Sequence, residues 1–383
     1  MLLQPDKFDA ADFLSEYWQK RPLLISNPWA SWANPLDPDE LAGLACEQEV
    51  ESRLVTGAHP KLKVEHGPFD ETRFEGLGEK PWTLLVQAVD HQVPSVAALL
   101  EPFRFIPNWR LGDVMVSYAT DRGGVGPHFD RYDVLLVQGL GTRRWRLGGM
   151  CDESTPLLAN EDLRLLERFE PREEYVLGPG DILYVPPGIA HEGVAVGNDC
   201  MTYSIGFRAP SRSELIEHWS RHLLSQAKED DRYQDPDPEV QDNPGEISWA
   251  AIDRLRAMVA ETMLDRDSFA RWFGQHCTAP RYPDLDWRPE QPVGAAELRE
   301  RLAAGAPLCR NPAVRFSFIR KEAGRLLLFV DGDCFDCSGE TATFAEQLCA
   351  GPRMRVDPGR SGSAMALIET LIDRGSIALE VAD

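Results

Sequence analysis

Three residues of metal-ligating type stand close to stiff or turn-forming neighbours. They are His128 and Asp130 in GPHFDRYD (126–133), and His191 in GPGDILYVPPGIAHEGVAV (178–196). If GPHFDRYD is a strand, its period of two sends His128 and Asp130 to one face, where an imidazole and a carboxylate could share a metal. An HxD pair is also a common surface or hydrogen-bonded pair, so by itself it decides nothing. His191 follows the rigid bend Pro186-Pro187-Gly188 after an apolar strand, Asp181–Val185, and a histidine on so stiff a support is well placed as a ligand. Two imidazoles and one carboxylate make the facial set of non-haem Fe(II) oxygenases, which leaves positions open for substrate and oxygen.

A second group with chemistry to offer is TRRWRLG (142–148), which follows DVLLVQGL across a glycine-rich turn and is expected to fold back on it as a hairpin. Arg143 and Trp145 then share one face, and Arg144 and Arg146 the other. An inward guanidinium beside a metal needs an anion, and the far carboxylate of a dicarboxylate chelated to iron would supply one. Solvation, or pairing with the abundant acids, explains any single arginine equally well. Two further motifs are set aside. CFDC (334–337) has no second CxxC or spaced histidine pair, so ordinary thiols are expected; His218 and His222 are four apart on a helix but lack the glutamate of a helical zinc site.

The elements that must position these residues are readable in outline. FDAADFLSEYWQKRPLLI reads as an amphipathic helix ending near Gln19, with Phe8, Phe13, Leu14, Tyr17 and Trp18 near helical spacing, then a strand at Pro22–Ile25. Between about 103 and 208, LGDVMVSYA, DVLLVQGL, TRRWRLG, REEYVLG, DILYVPP, EGVAV and MTYSIGF are short strand-like runs separated by Gly, Pro or Asp, which points to a sandwich or barrel. After Phe207, SRSELIEHWSRHLLSQAKE, SWAAIDRLRAMVAETML and RDSFARWFGQH read as helices, the first two separated by an acidic, proline-broken linker at 229–247. From Tyr282 onward, helices at GAAELRERLAA, TATFAEQLCA and SAMALIETLIDR and a hairpin turning at Glu322–Gly324 form a small α+β unit compatible with a winged helix.

The chain has 383 residues, with 62 acidic against 40 basic side chains and a net charge of −22, which disfavours nucleic acid or an acidic membrane and favours a basic partner. No secretory leader or membrane span is evident, and the eight cysteines are scattered, so a cytoplasmic protein with reduced thiols is expected. The winged-helix-like unit shows no basic stripe, so direct nucleic-acid binding is not expected.

FLSEYWQKRPLLI, GGVGPHFDRYDVLLVQGLGTRRWRLG, GPGDILYVPPGIAHEG and YSIGFRAPS together resemble the bacterial ribosomal oxygenases of the JmjC, cupin-like 2-oxoglutarate dioxygenase superfamily, and among them the ribosomal protein arginine hydroxylases. The resemblance spans essentially the whole chain. It implies an α+β protein with a double-stranded β-helix (jelly-roll) oxygenase domain at 1–208, a helical dimerisation region at 209–280, and a winged-helix-like domain at 281–383. It implies Fe(II) on His128, Asp130 and His191, 2-oxoglutarate held by Arg143, and O2 as co-reactant. It implies a substrate-arginine pocket in which Asp113 meets the guanidinium, Met115 and Tyr132 sandwich the stem, and Ser204 supplies a hydroxyl. The activity implied is 3-hydroxylation, at the β-carbon, of an arginine in the sixteenth protein of the large (50S) ribosomal subunit, by a homodimer.

Two other readings stand beside it. The same chemistry could act on a ribosomal histidine or a methylated lysine; Asp113 discriminates arginine from histidine, since a cationic arginine needs an anion there and a histidine amide-type pocket does not. A non-catalytic cupin-like ribosome-assembly factor is the other, and the three filled ligand positions count against it.

Overall fold

Short β-branched and aromatic runs cut by turn residues pair edge to edge, and in the computed structural model of the chain nine of them form one sheet. The structure describes every residue except 1, 2, 5, 79, 160–162, 239 and 381–383, so the first residues of the expected 1–208 domain and the last of the expected 281–383 domain lie outside the described residues. The strands are β1 (Leu23–Ile25), β2 (Ser52–Ala58), β3 (Lys61–His66), β4 (Trp82–Val86), β5 (Leu111–Ala119), β6 (Asp133–Met150), β7 (Glu173–Leu177), β8 (Ile182–Val185) and β9 (Ile189–Phe207). Their order is β1-β8-β6-β9-β5-β4-β2-β3, with β7 on the far half of β6.

Two long strands organise this sheet. β6 and β9 run 18 and 19 residues and pair antiparallel from Asp133↔Phe207 to Met150↔Ile189. The first half of β6 also pairs with β8 and the second half with β7, so one strand serves both walls of a jelly roll. This corrects the expected hairpin: DVLLVQGL and TRRWRLG do not fold back on each other but continue as one bent strand, each half paired to β9. The glycines bend the strand instead of reversing it. Register shifts fall at Gln138/Leu140 and Leu140/Thr142, Gly141 has φ +60°, and a Cβ there would lie 2.6 Å from the Asp199 carbonyl oxygen. EGVAV and MTYSIGF likewise join as the single strand β9.

The N-terminal helix spans Ala10–Glu16, capped by Asp9, whose carboxylate accepts from the Asp12 N–H at 2.8 Å; it ends a turn before Gln19. Its Phe13 meets Tyr184 of β8 edge-on at 4.9 Å, and Trp18 stacks on the same ring at 5.7 Å. Beneath them Asp133, fully buried at the start of β6, accepts from the Tyr184 hydroxyl at 2.6 Å and the Gln19 amide at 2.9 Å and pairs with Arg110 at 3.0 Å. A buried carboxylate is tolerated only with such a complete set of partners.

The second part of the chain begins with helices at Arg212–Gln226, Trp249–Met263 and Arg266–Thr278, the first opened by a Ser211/Glu214 capping box. No described helix is long and apolar enough to cross a membrane. The helix at Arg266–Thr278 lies close on a three-stranded sheet, where a Cβ on Gly274 would lie 2.4 Å from the Phe329 ring. That sheet comprises β11 (Phe316–Arg320), β12 (Leu326–Val330) and β13 (Asp333–Cys337), the first two forming the expected hairpin. β10 (Leu308–Arg310), flanked by β14 (Arg353–Met354) and β15 (Ile377–Leu379), makes a second small sheet. With helices at Ala295–Ala303, Glu340–Ala350 and Gly362–Asp373 they enclose a core around Leu298, Leu328, Phe344 and Ile368. All eight cysteines are free.

Asp133→Ala strands Arg110, Gln19 and the Tyr184 hydroxyl in the interior, and is expected to lower stability by about 3 kcal/mol. Urea denaturation measures it; an unchanged midpoint would remove Asp133 as the anchor of β6.

Candidate metal centre and its pocket

GPHFDRYD is not a regular strand. It is a loop between β5 and β6 in which His128 alone forms a β-bridge, and its partner is His191 at the start of β9. The two exchange backbone hydrogen bonds: the His128 N–H donates to the His191 carbonyl at 3.0 Å and the His191 N–H to the His128 carbonyl at 2.8 Å. Directly paired residues project side chains to the same face, and the two imidazole centroids lie 4.3 Å apart. Asp130 is placed by a different contact, because its carbonyl accepts from the Gly188 N–H at 2.7 Å. Gly188 has φ +81°, a left-handed conformation that favours glycine, and a Cβ there would also lie 3.0 Å from the Cys151 carbonyl oxygen, so the Pro186-Pro187-Gly188 bend selects this glycine.

The ligand atoms of His128, Asp130 and His191 lie within 4.8 Å of one another. Each histidine places Nδ1 on a local carbonyl, Gly126 at 3.0 Å for His128 and Ile189 at 2.9 Å for His191. With Nδ1–H donating, Nε2 carries the free lone pair, the arrangement typical of metal-binding imidazoles. Burial first, and the neighbouring His128 second, push the His191 pKa down, which favours the neutral imidazole that a ligand must be. Two neutral nitrogens and one carboxylate oxygen suit Fe(II) with coordination positions to spare. Among the described residues this is the group of three with ligand spacing, and it includes neither CFDC nor His218 and His222. Cys334 accepts from Arg271 at 3.0 Å, His218 lies against His276 at 5.0 Å, and His222 stacks on Trp219.

A cavity of about 920 Å³ opens over the triad and brings together Arg143, Asp113, Met115, Tyr132 and Ser204, all singled out in the sequence. Arg143, Trp145 and Leu147 are buried on one face of β6 while Arg144 and Arg146 lie more exposed on the other, and Arg146 pairs with Glu192. Arg143 is 3% exposed, with Nε on the Cys200 sulfur at 3.4 Å, its guanidinium 5.8 Å from the Trp145 ring, and a buried Nη2 that has no partner. An unpaired buried guanidinium nitrogen lining a cavity fits an anion there. Asp113, Met115 and Ser117 line the cavity by alternation along β5, and Met115 pairs across to Ser204 of β9. Tyr132 reaches the cavity from the loop and not from a strand, its ring beside Gly206.

Several pocket residues escaped the sequence reading. Ser117 and Thr202 could have been found by continuing the alternation through Asp113 and Ser204. Arg281 could not, because nothing local marks it, yet its Nη1 sits 3.0 Å from Asp113 Oδ2, which also accepts from Gln87 Nε2 at 2.8 Å. Behind Asp113 lies Asp90, fully buried, accepting from the Val114 N–H at 2.8 Å; burial chiefly lifts its pKa to about 7. Burial likewise pushes the adjacent His91 down to about 4.

Residues 98–215 match the JmjC domain family and 260–377 the ROXA-like winged helix. The chain is 42% identical over 305 residues to the ribosomal protein uL16 3-hydroxylase of Escherichia coli K12, covering 79% of this chain and 80% of that one. It belongs to the JmjC ribosomal oxygenases. Its fold superposes on Escherichia coli YcfD, a ribosomal oxygenase solved with cobalt and 2-oxoglutarate, at TM-score 0.85 and 35% identity over 98% of this chain and 99% of that one. The YcfD structure with cobalt and succinic acid gives TM-score 0.84 at 36% identity over 98% and 99%. The sheet of this oxygenase is therefore the jelly-roll core, followed by the helical region and the winged-helix domain.

His128→Ala is expected to abolish Fe(II) binding in an anaerobic titration while circular dichroism stays native, because the bridge to His191 is made by backbone; unfolding would instead mark His128 as a structural residue. Asp90 binds its proton more tightly folded than unfolded, so its contribution to stability is full below about pH 4 and is lost as pH rises towards about 7. Asp90→Asn should remove that loss, making the variant's melting temperature fall less than wild type between pH 5 and 8; an equal fall would contradict the burial of this charge.

Proposed function

We propose that this chain is an Fe(II)- and 2-oxoglutarate-dependent dioxygenase that 3-hydroxylates an arginine of the large-subunit ribosomal protein uL16. The observation that carries the reading is the His128–Asp130–His191 set, with its ligand atoms within 4.8 Å, in a chain 42% identical to a uL16 3-hydroxylase. When bound, Fe(II) with 2-oxoglutarate and O2 supplies the oxidative decarboxylation to succinate and CO2 that delivers one oxygen atom to an unactivated C–H bond.

The chain's own residues do the positioning. Arg143 receives the distal carboxylate of 2-oxoglutarate, which satisfies its partnerless Nη2. Asp113 receives the substrate guanidinium, Met115 and Tyr132 flank its aliphatic stem, and Ser204 offers a hydroxyl nearby, so that the β-carbon is held towards the metal. The Trp145 ring beside His191, at 6.0 Å, helps to exclude water from this side of the centre. A chain of net charge −22 attracts a basic ribosomal protein.

The domain assignment follows: oxygenase at 1–208, dimerisation helices at 209–280 with the linker 229–247, and winged-helix-like domain at 281–383. The homodimer is supported by Ile252, Leu255 and Val259, spaced along one side of the helix at Trp249–Met263 and 38%, 43% and 63% exposed, an apolar stripe that a second copy would cover. The protein acts in the cytoplasm, without a membrane or direct nucleic-acid contact.

Mass spectrometry of a uL16 peptide incubated with enzyme, Fe(II), 2-oxoglutarate and O2 tests the reaction: one added oxygen on an arginine supports it, and modification only of histidine, or demethylation of lysine, would replace the substrate assignment. Arg143→Ala should raise the KM for 2-oxoglutarate by at least about 100-fold, the loss of a buried charge-assisted bidentate contact, with Fe(II) affinity nearly unchanged. An unaltered KM would take Arg143 out of the site.

A further inference from the structure

Asp113 already holds a guanidinium. Arg281, in the segment after the helix at Arg266–Thr278, places Nη1 3.0 Å from Asp113 Oδ2, and its side chain lines the same cavity as the metal triad. We propose that Arg281 is a resident guanidinium that occupies the substrate-arginine position on Asp113 and swings onto Glu51 when the substrate enters, making it a specificity-determining residue of the pocket. The inference rests on the reading of Asp113 as the anchor of the substrate guanidinium.

Three observations carry it. First, Arg281 is not needed to orient Asp113, because Gln87 Nε2 already holds the same Oδ2 at 2.8 Å. What Arg281 supplies is charge: the Asp113 side chain is 10% exposed, and a carboxylate so enclosed is costly without a cation. Second, Arg281 has a second seat. Its Nη2 lies 3.5 Å from Glu51 Oε2, its Nε donates to the Tyr282 hydroxyl at 3.0 Å, and at 35% its side chain is far more exposed than its partner's. Third, the surroundings cannot take another cation while Arg281 stays. Arg208 and Arg315 are half-buried and also feel the Asp113 charge, and the acids paired with or beside this group are Glu51 and Asp90. A fourth guanidinium brought to Asp113 therefore displaces the movable one.

The exchange favours one class of ligand. Replacing a guanidinium by a guanidinium conserves charge and the planar fork of donors, so it costs little. An ammonium ion offers a point charge without that fork, and a neutral imidazole offers no charge at all; neither compensates for releasing Arg281. The resident arginine thus lowers apparent affinity for every ligand, but least for arginine. A site open only about one-tenth of the time binds about tenfold more weakly than the open site.

Steady-state kinetics of the Fe(II)-loaded enzyme with the uL16 peptide, and with the same peptide carrying lysine at the target position, test this. Arg281→Ala is expected to lower the peptide KM about tenfold with kcat within about twofold, and to narrow the binding preference for arginine over lysine. Arg281→Gln, which keeps most of the side chain's bulk, should do the same, and serves if the alanine variant is unstable. Glu51→Gln, which removes the second seat, should raise the KM. Ethylguanidine should inhibit Arg281→Ala more strongly than wild type, by refilling the vacated position. If Asp113→Ala raises the KM but both Arg281 variants leave it unchanged or raised, the resident-guanidinium proposal is overturned while the Asp113 reading stands. If Asp113→Ala leaves the KM unchanged, the Asp113 reading itself fails.

Discussion

The centre depends on one pair of backbone hydrogen bonds. His128 and His191 come from segments far apart in the chain: His191 belongs to the β9 ladder with β6, whereas His128 lies in a loop outside any strand. Their mutual N–H···O=C exchange, at 3.0 and 2.8 Å, makes them directly opposed residues of an antiparallel bridge and sends both imidazoles to one side. Everything nearby maintains that bridge. Gly188 holds the Asp130 carbonyl from the other side, and Asp133 anchors the end of the loop through Tyr184, Arg110 and Gln19. The N-terminal helix, remote from any chemistry, enters through its aromatic contacts with Tyr184. The ligand geometry is thereby built from backbone and core contacts, the rigid support that a metal site needs.

The ligands were legible in the sequence because metal chemistry restricts residue type so strongly, and because Pro186-Pro187-Gly188 announces a stiff support. Their local structure was not. GPHFDRYD has strand-like spacing, but it opens with Gly126 and Pro127 and β6 starts only at Asp133, so the same-face relation arises from the bridge to His191 and not from strand period. GLGT shows the same limit. Glycines permit either a reversal or a bend, and pairing of both flanking runs to β9, a tertiary matter, selects the bend. Arg143 was correctly ranged with Trp145 because alternation within one half of β6 survives the bulges.

Contacts between distant parts of the chain were the least legible. Asp133 reads as an ordinary strand-start acid, and Arg281 as one more loop arginine. Each acquires meaning only when folding brings it to a buried opposite charge. Around Asp113, three arginines, two other acids and His91 gather where the helical and winged-helix parts meet the oxygenase sheet. Such a network is stable only when its charges are matched, so a substrate that adds a cation must also move one. That ties the later domains to the pocket by electrostatics, whatever else they bind.

The central claim is that the triad and Arg143 together hold Fe(II) and 2-oxoglutarate in one cavity. Anaerobic titration of the protein with Fe(II) and 2-oxoglutarate, followed by visible absorption, tests it most directly. A metal-to-ligand charge-transfer band that needs both components, disappears in His128→Ala and requires far more 2-oxoglutarate in Arg143→Ala is the predicted result. Iron binding without such a band, or a band indifferent to both substitutions, would contradict it.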